Sequence, residues 1–145
     1  MDPHASESPC PDAAGPCRVL IADDNKDLAD CLSKLFKLSG CTAEAVYDGH
    51  EAIRAARAYR PDIILLDIRL PGMDGFEVAV RIRADKDLSD ILIVAMSAYS
   101  PFRTQGRRPD AIFSDYLVKP VDHDALLGIV SRAHWRRGEA FEPQR

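Results

Sequence analysis

Short continuous apolar runs alternate along this chain with apolar positions at helical spacing. Val19-Leu20-Ile21-Ala22 is a run of the kind required by a strand buried on both faces, and it ends abruptly in Asp23-Asp24. From Leu28 the apolar positions become Leu28, Cys31, Leu32, Leu35 and Phe36, one face of a helix that Gly40 stops. The unit then repeats. Thr42 to Val46 predicts a second strand, Asp48-Gly49 a turn, and Glu51 to Tyr59 a helix closed by Pro61. Ile63-Ile64-Leu65-Leu66 predicts a third strand terminating in Asp67, followed by the turn Leu70-Pro71-Gly72-Met73-Asp74-Gly75 and a helix over Phe76 to Arg83. Ile91 to Met96 predicts a fourth strand and Tyr116-Leu117-Val118 a short fifth. Asp122 is placed to cap a last amphipathic helix through Leu126, Ile129, Val130 and Ala133.

The regularity fails once. Where a fourth helix belongs, Pro101, Gly106 and Pro109 interrupt Phe102 to Ala111, and a proline inside a helix costs about 3 kcal/mol. That helix is expected to be short, shifted or absent. Elsewhere the alternation of strand and helix implies an α/β fold, a parallel doubly wound sheet with helices on both faces. In such sheets the crossovers are right-handed and ligands bind outside the carboxyl ends of the strands. The polar residues at those ends are Asp23 and Asp24, Asp67, Ser97 and Lys119.

Three carboxylates at the rim of an apolar sheet repel one another, which raises at least one pKa unless a cation joins them. Mg²⁺ is a hard ion that keeps several waters while taking one or two carboxylates and phosphate oxygens, so it suits a shallow acidic pocket; Lys119 adds a further positive charge. A carboxylate nucleophile that forms an acyl phosphate is a chemistry this set supports, with metal and lysine neutralising charge. The phosphoryl group would add roughly −1.5 to −2 of charge. Ser97 and the backbone N–H groups near Ile68 and Ala98 are the candidates to receive it. Taken singly, each residue reads more blandly: Asp23 or Asp24 as a cap or turn residue, Ser97 as a turn hydroxyl, Lys119-Pro120 as a loop. Their joint placement at successive strand ends favours the functional reading.

At 145 residues the chain fits one domain with a genuine core, and leaves no room for a second, output domain. Residues 1–17, with Pro3, Pro9, Pro11 and Pro16 among small and acidic residues, are expected to form a flexible tail, 18–137 the domain, and 138–145 a short polar tail. A net charge of −4 argues against nonspecific attraction to nucleic acid or an anionic membrane. With neither a signal sequence nor a run able to cross a bilayer, a reducing cytoplasm is the expected compartment. Cys10, Cys17, Cys31 and Cys41 show no C-x-x-C spacing; Cys10 and Cys17 fall in the tail, and Cys31 is expected as a small buried hydrophobe. His4, His50, His123 and His134 show no ligand-like clustering.

The chain resembles the response-regulator receiver domains of two-component signalling from about Arg18 to Trp135. The matching pieces are Val19-Leu20-Ile21-Ala22-Asp23-Asp24-Asn25, Asp62 to Gly75 with its Leu70-Pro71-Gly72-Met73-Asp74-Gly75 turn, Ala95-Met96-Ser97-Ala98, and Asp115-Tyr116-Leu117-Val118-Lys119-Pro120. The resemblance implies a flavodoxin-like five-stranded sheet of order 2-1-3-4-5. It implies Asp67 as phosphoacceptor, Asp24 as a direct Mg²⁺ ligand, Asp23 as a ligand largely through water, and the Arg69 carbonyl as another ligand. Lys119 would hold the phosphoryl oxygens. Ser97 would be the switch hydroxyl and Tyr116 the aromatic that turns inward with it, and the Lys119-Pro120 bond would be cis.

By the same resemblance the donor is a phosphohistidine on a sensor histidine kinase or histidine phosphotransfer protein, and the domain catalyses only its own modification and its loss. The output is then contact with an unidentified protein target, one form of which is a phosphorylation-dependent homodimer, with no nucleic acid and no membrane partner. A receiver segment of a hybrid kinase and an unphosphorylated interaction module are the alternatives within the family. Arg69 and Tyr99, bulky and two positions past Asp67 and Ser97, point to slow self-dephosphorylation. Ile112 stands where relatives usually carry a glycine, which puts the common output surface of fourth helix, fifth strand and last helix in question. Two other classes fit less well. A phosphatase of the haloacid-dehalogenase type needs an acid where Arg69 stands. A flavodoxin-like nucleotide or flavin binder wants a Gly- or hydroxyl-rich loop where Asp23-Asp24-Asn25 stands.

Overall fold

The computed structural model describes residues 17–97, 112–119 and 121–136, with the backbone alone for residues 123 and 132–136. The strands are β1 (Arg18–Ala22), β2 (Thr42–Val46), β3 (Ile63–Asp67), β4 (Leu92–Ser97) and β5 (Asp115–Val118). The helices are α1 (Lys26–Leu38), α2 (Gly49–Tyr59), α3 (Gly75–Ala84) and α4 (His123–Arg136). All five strands form one parallel sheet in the order β2-β1-β3-β4-β5. The fold class and strand order are those the sequence implied. The expected fourth helix falls on residues outside the described set, as do the two tails apart from Cys17.

Alternation along the strands divides the core in two. Val19, Ile21, Ile63, Leu65, Val94 and Met96 face one side, where Ala29, Leu32 and Phe36 of α1 and Leu126, Ile129 and Val130 of α4 cover them. Leu20, Ala22, Ile64, Leu66, Ile93 and Ala95 face the other, under Ala52, Ile53 and Ala56 of α2 and Val78, Ala79 and Ile82 of α3. A strand apolar at every position is what such double cover requires, and β3 is buried throughout. β2, at the edge, mixes exposed and half-buried positions.

Each helix starts at a side-chain cap that satisfies an orphan N–H. Asn25, Asp48 and Asp74 accept from Leu28, Glu51 and Glu77 N–H at 3.1, 2.8 and 2.9 Å. Asp122, the expected cap of the last helix, accepts from Ala125 N–H at 2.7 Å. Gly49 and Gly75, expected in turns, are instead the first residues of α2 and α3, because the aspartate before each does the capping.

Two cysteine expectations are corrected. Cys31 is exposed, since α1 buries Ala29, Leu32, Ser33 and Phe36 and so turns its inner face away from Cys31. Small Ala29 and Ser33 let the helix close on the sheet, a tertiary preference that outranks the apolar spacing. Cys17, placed in the tail, is fully buried in the α1 side of the core, and its carbonyl accepts Thr42 N–H at 2.9 Å. His50 is exposed.

Candidate phosphoryl-acceptor and metal site

The strand order decides which polar residues meet. β1 and β3 are neighbours, so Asp23, just past β1, stands beside Asp67, the last residue of β3. Lys119 follows β5, two strands from β3, and is anchored by its N–H donating to the Ser97 carbonyl at 2.8 Å. Its long side chain crosses the end of β4. The ammonium Nζ reaches Asp23 Oδ2 at 2.7 Å and Asp67 Oδ2 at 2.9 Å, bridging residues 96 and 52 positions away in sequence.

The second oxygen of each buried carboxylate is held locally. Asp23 Oδ1 accepts Asn25 N–H at 2.9 Å, and Asp67 Oδ1 accepts Arg69 N–H at 3.0 Å. Both are the i to i+2 turn that aspartate favours on leaving a strand. Asp23 is completely buried, Asp67 is 6% exposed, and Asp24 is open to solvent. One oxygen from each of the three lies within 4.8 Å of the others, so the cluster can hold a metal ion on hard oxygen donors.

Charge balance in this pocket is uneven. Burial pushes the Asp67 carboxyl above the ordinary carboxylate range; the Arg69 N–H and Lys119 pull it back, Asp23 adds repulsion, and the net direction is upward. Burial alone would lower Lys119, but its hydrogen bonds to Asp23 and Asp67 outweigh it and hold the ammonium above its usual range. Burial therefore sets the direction at Asp67, and the two buried carboxylates share one ammonium in a three-carboxylate cluster able to take a cation.

The loop after Asp67 is fixed by close backbone approaches. Gly75 N–H donates to the Ile68 carbonyl at 2.7 Å, and a Cβ on Gly75 would stand 2.5 Å from the Asp67 carbonyl oxygen and 2.7 Å from Ile68 Cα. Gly49 N–H donates to the Pro71 carbonyl at 3.2 Å, and a Cβ there would meet the Met73 carbonyl at 2.3 Å. The N-termini of α2 and α3 thus clamp the loop that carries Arg69.

Of the residues singled out in the sequence, Asp23, Asp24, Asp67 and Lys119 are brought together. Ser97 ends β4, between β3 and β5 in the sheet. Tyr116 lies in β5 opposite Ala95, its ring edge-on to Phe113 at 5.7 Å, which is edge-on to Phe76 at 5.3 Å. In this conformation the Ile68 N–H belongs to the sheet. It extends the β3–β4 ladder to the Met96 carbonyl at 3.0 Å, and the amide that donates to the Asp67 carboxylate is that of Arg69. An aspartate at a strand end followed two residues on by a non-proline residue was the available signal. Ala98, Tyr99 and Pro120 lie outside the described residues, and with them the Ala98 donor and the cis bond.

The family model of the response regulator receiver domain matches residues 19–131, and the chain belongs to that family. It is 37% identical over 121 residues to the transcriptional regulatory protein PrrA of Mycobacterium tuberculosis, covering 83% of this chain and 51% of that protein. To the DNA-binding dual master transcriptional regulator RpaA of Synechocystis it is 34% identical over 120 residues, covering 83% and 49%. The chain thus spans about half the length of the curated relatives it matches. Among solved structures it is similar to the receiver domain of sensor histidine kinase PA1611 from Pseudomonas aeruginosa, which has a magnesium ion coordinated in its active site cleft. That match has 31% identity and a TM-score of 0.71, covering 81% of this chain and 96% of the other. The signal receiver domain of a LuxO repressor protein from Vibrio parahaemolyticus matches with 26% identity and a TM-score of 0.75, covering 86% and 93%.

Proposed function

We propose that Asp67 accepts a phosphoryl group from a phosphohistidine on a sensor histidine kinase or histidine phosphotransfer protein, and that the modified state alters a surface that contacts a protein target. One observation carries this reading. Among the described residues, Asp67 Oδ1 accepts from Arg69 N–H, while Oδ2 accepts from the Lys119 ammonium, which also donates to Asp23. A carboxylate oriented through one oxygen by a backbone amide, with the other on an ammonium that can be shared with an incoming phosphoryl group, is placed to attack.

In the transfer, an Asp67 oxygen forms a bond to phosphorus as the phosphorus–nitrogen bond of the donor breaks, and the imidazole leaves with the electron pair. Lys119 exchanges Asp67 for a phosphoryl oxygen without leaving Asp23. Asp23, Asp24 and Asp67, with the Arg69 carbonyl, would hold Mg²⁺, which when bound neutralises charge on the transferring group. Ser97 turns toward the added charge, and Tyr116 follows into the space it vacates. The chain acts in this reading only on its own acyl phosphate. With a net charge of −4, a protein contact is a better-matched output for this segment than nucleic acid.

The test is incubation with acetyl phosphate and Mg²⁺ followed by intact-mass measurement. The native chain is expected to gain one phosphoryl group and Asp67→Asn none. A gain in both would move the acceptor elsewhere, and a gain in neither would favour an unmodified interaction module.

A further inference from the structure

We propose that Cys17 and Cys41 are a dithiol site that closes reversibly to a disulfide under a small-molecule disulfide oxidant. β1 and β2 pair in parallel with Arg18 opposite Thr42 and Val19 opposite Ala43, so Cys17 and Cys41 occupy the preceding rung as lateral neighbours. Thr42 N–H donates to the Cys17 carbonyl at 2.9 Å, which carries the pairing down to that rung. Both side chains point to the same face, since both belong to the core cluster containing Val19, Ile21, Ala43 and Ala45. Neighbouring strands stand about 4.7–4.9 Å apart, inside the Cα separation of about 4.4–6.8 Å that disulfides span. Both residues lie just outside the strands, so the end rung can draw its Cβ atoms together without breaking the register of the ladder.

Neither thiol belongs to the acidic pocket, which lies at the opposite ends of the strands. Cys41, 6% exposed beside the turn at Gly40, is the entry point, and Cys17 is fully buried behind it. With oxidised glutathione as oxidant, the Cys41 thiolate attacks one sulfur and expels the first glutathione thiolate. The Cys17 thiolate then attacks the Cys41 sulfur and expels the second. Two protein thiols are oxidised, one glutathione disulfide is reduced to two thiols, and the two protein protons pass to the leaving thiolates. The closed form ties the start of the domain to its edge strand, a transient state of the kind redox-sensing disulfides adopt in reducing compartments.

The experiment uses the full chain carrying Cys10→Ser and Cys31→Ser, so that only the proposed pair remains. After oxidised glutathione, intact mass is expected to show the loss of two hydrogen atoms, reversed by dithiothreitol. Peptide mapping is expected to show a Cys17–Cys41 link, and the melting temperature to rise. Adding Cys17→Ser should abolish both the mass loss and the rise. The same oxidant on the urea-unfolded chain is the control for reactivity. Closure there but not in the folded chain, or a stable glutathione adduct on Cys41 with no further exchange, would overturn the assignment.

Discussion

Asp67 carries the conflict between stability and chemistry at the scale of one residue. Its carboxyl is pushed up mainly by burial, so the native state binds its proton more tightly than the unfolded chain does. The stabilisation from that tighter binding is fully present below the unfolded pKa of 3.8 and is lost as pH rises through the higher native value. Above that native value, without metal, the ionised Asp67 therefore works against folding. Asp67→Asn keeps an oxygen for the Arg69 N–H and never ionises. Its melting temperature relative to the native chain is expected to increase as pH is raised from the acid side of that range to neutrality, in chelator. Thermal melts across that range check it; a difference that shrinks with rising pH would mean that Lys119 overcompensates the carboxylates.

At the scale of the element, the glycines separate two kinds of position. Gly128, inside α4, would place a Cβ in open space, so Gly128→Ala is expected to stabilise the domain by about 0.5–1 kcal/mol through helix propensity alone. Gly75 opens α3 against the Asp67 carbonyl and Ile68 Cα, and both obstacles are backbone. Gly75→Ala is expected to destabilise by about 1–3 kcal/mol and to weaken Mg²⁺ binding, because relief must displace the loop carrying Arg69. Chemical denaturation of both variants, with a Mg²⁺ titration of the second, checks the pair. These positions also mark how far the sequence could be read. β1, β3 and β4 were legible because strands buried on both faces must be apolar throughout, Asp23 and Asp67 because they stand at the ends of such runs, and Lys119 because it follows the short run Tyr116-Leu117-Val118. The Arg69 amide and the clamp at Gly49 and Gly75 were not, since backbone direction and the approach of one main chain to another leave little trace in side-chain polarity. Cys31 misled because a five-residue apolar stripe fits more than one angular setting of a helix. The sheet chose the setting with Ala29 and Ser33 inward.

Across the whole molecule, an ion held in the acidic pocket would link metal occupancy to global stability. Any ion that binds the assembled carboxylates and not the unfolded chain stabilises the fold by mass action, by about 2.7 kcal/mol when its free concentration is a hundred times its Kd. Asp23, Asp24 and Asp67 come from two strand ends and meet only in the folded sheet. The native chain is therefore expected to melt at a higher temperature in Mg²⁺ than in chelator, with the shift growing logarithmically with concentration. Asp24 separates this effect from ordinary packing. It is exposed, whereas Asp23 and Asp67 are buried and paired with Lys119, so Asp24→Asn removes the proposed ligand and a repulsive charge while leaving the core untouched. Its melting temperature in chelator is expected to equal or slightly exceed that of the native chain, and its Mg²⁺-dependent rise to be largely lost. A rise that survived in Asp24→Asn would place the ion elsewhere. A loss in chelator would show that Asp24 holds the loop and does not chiefly bind metal.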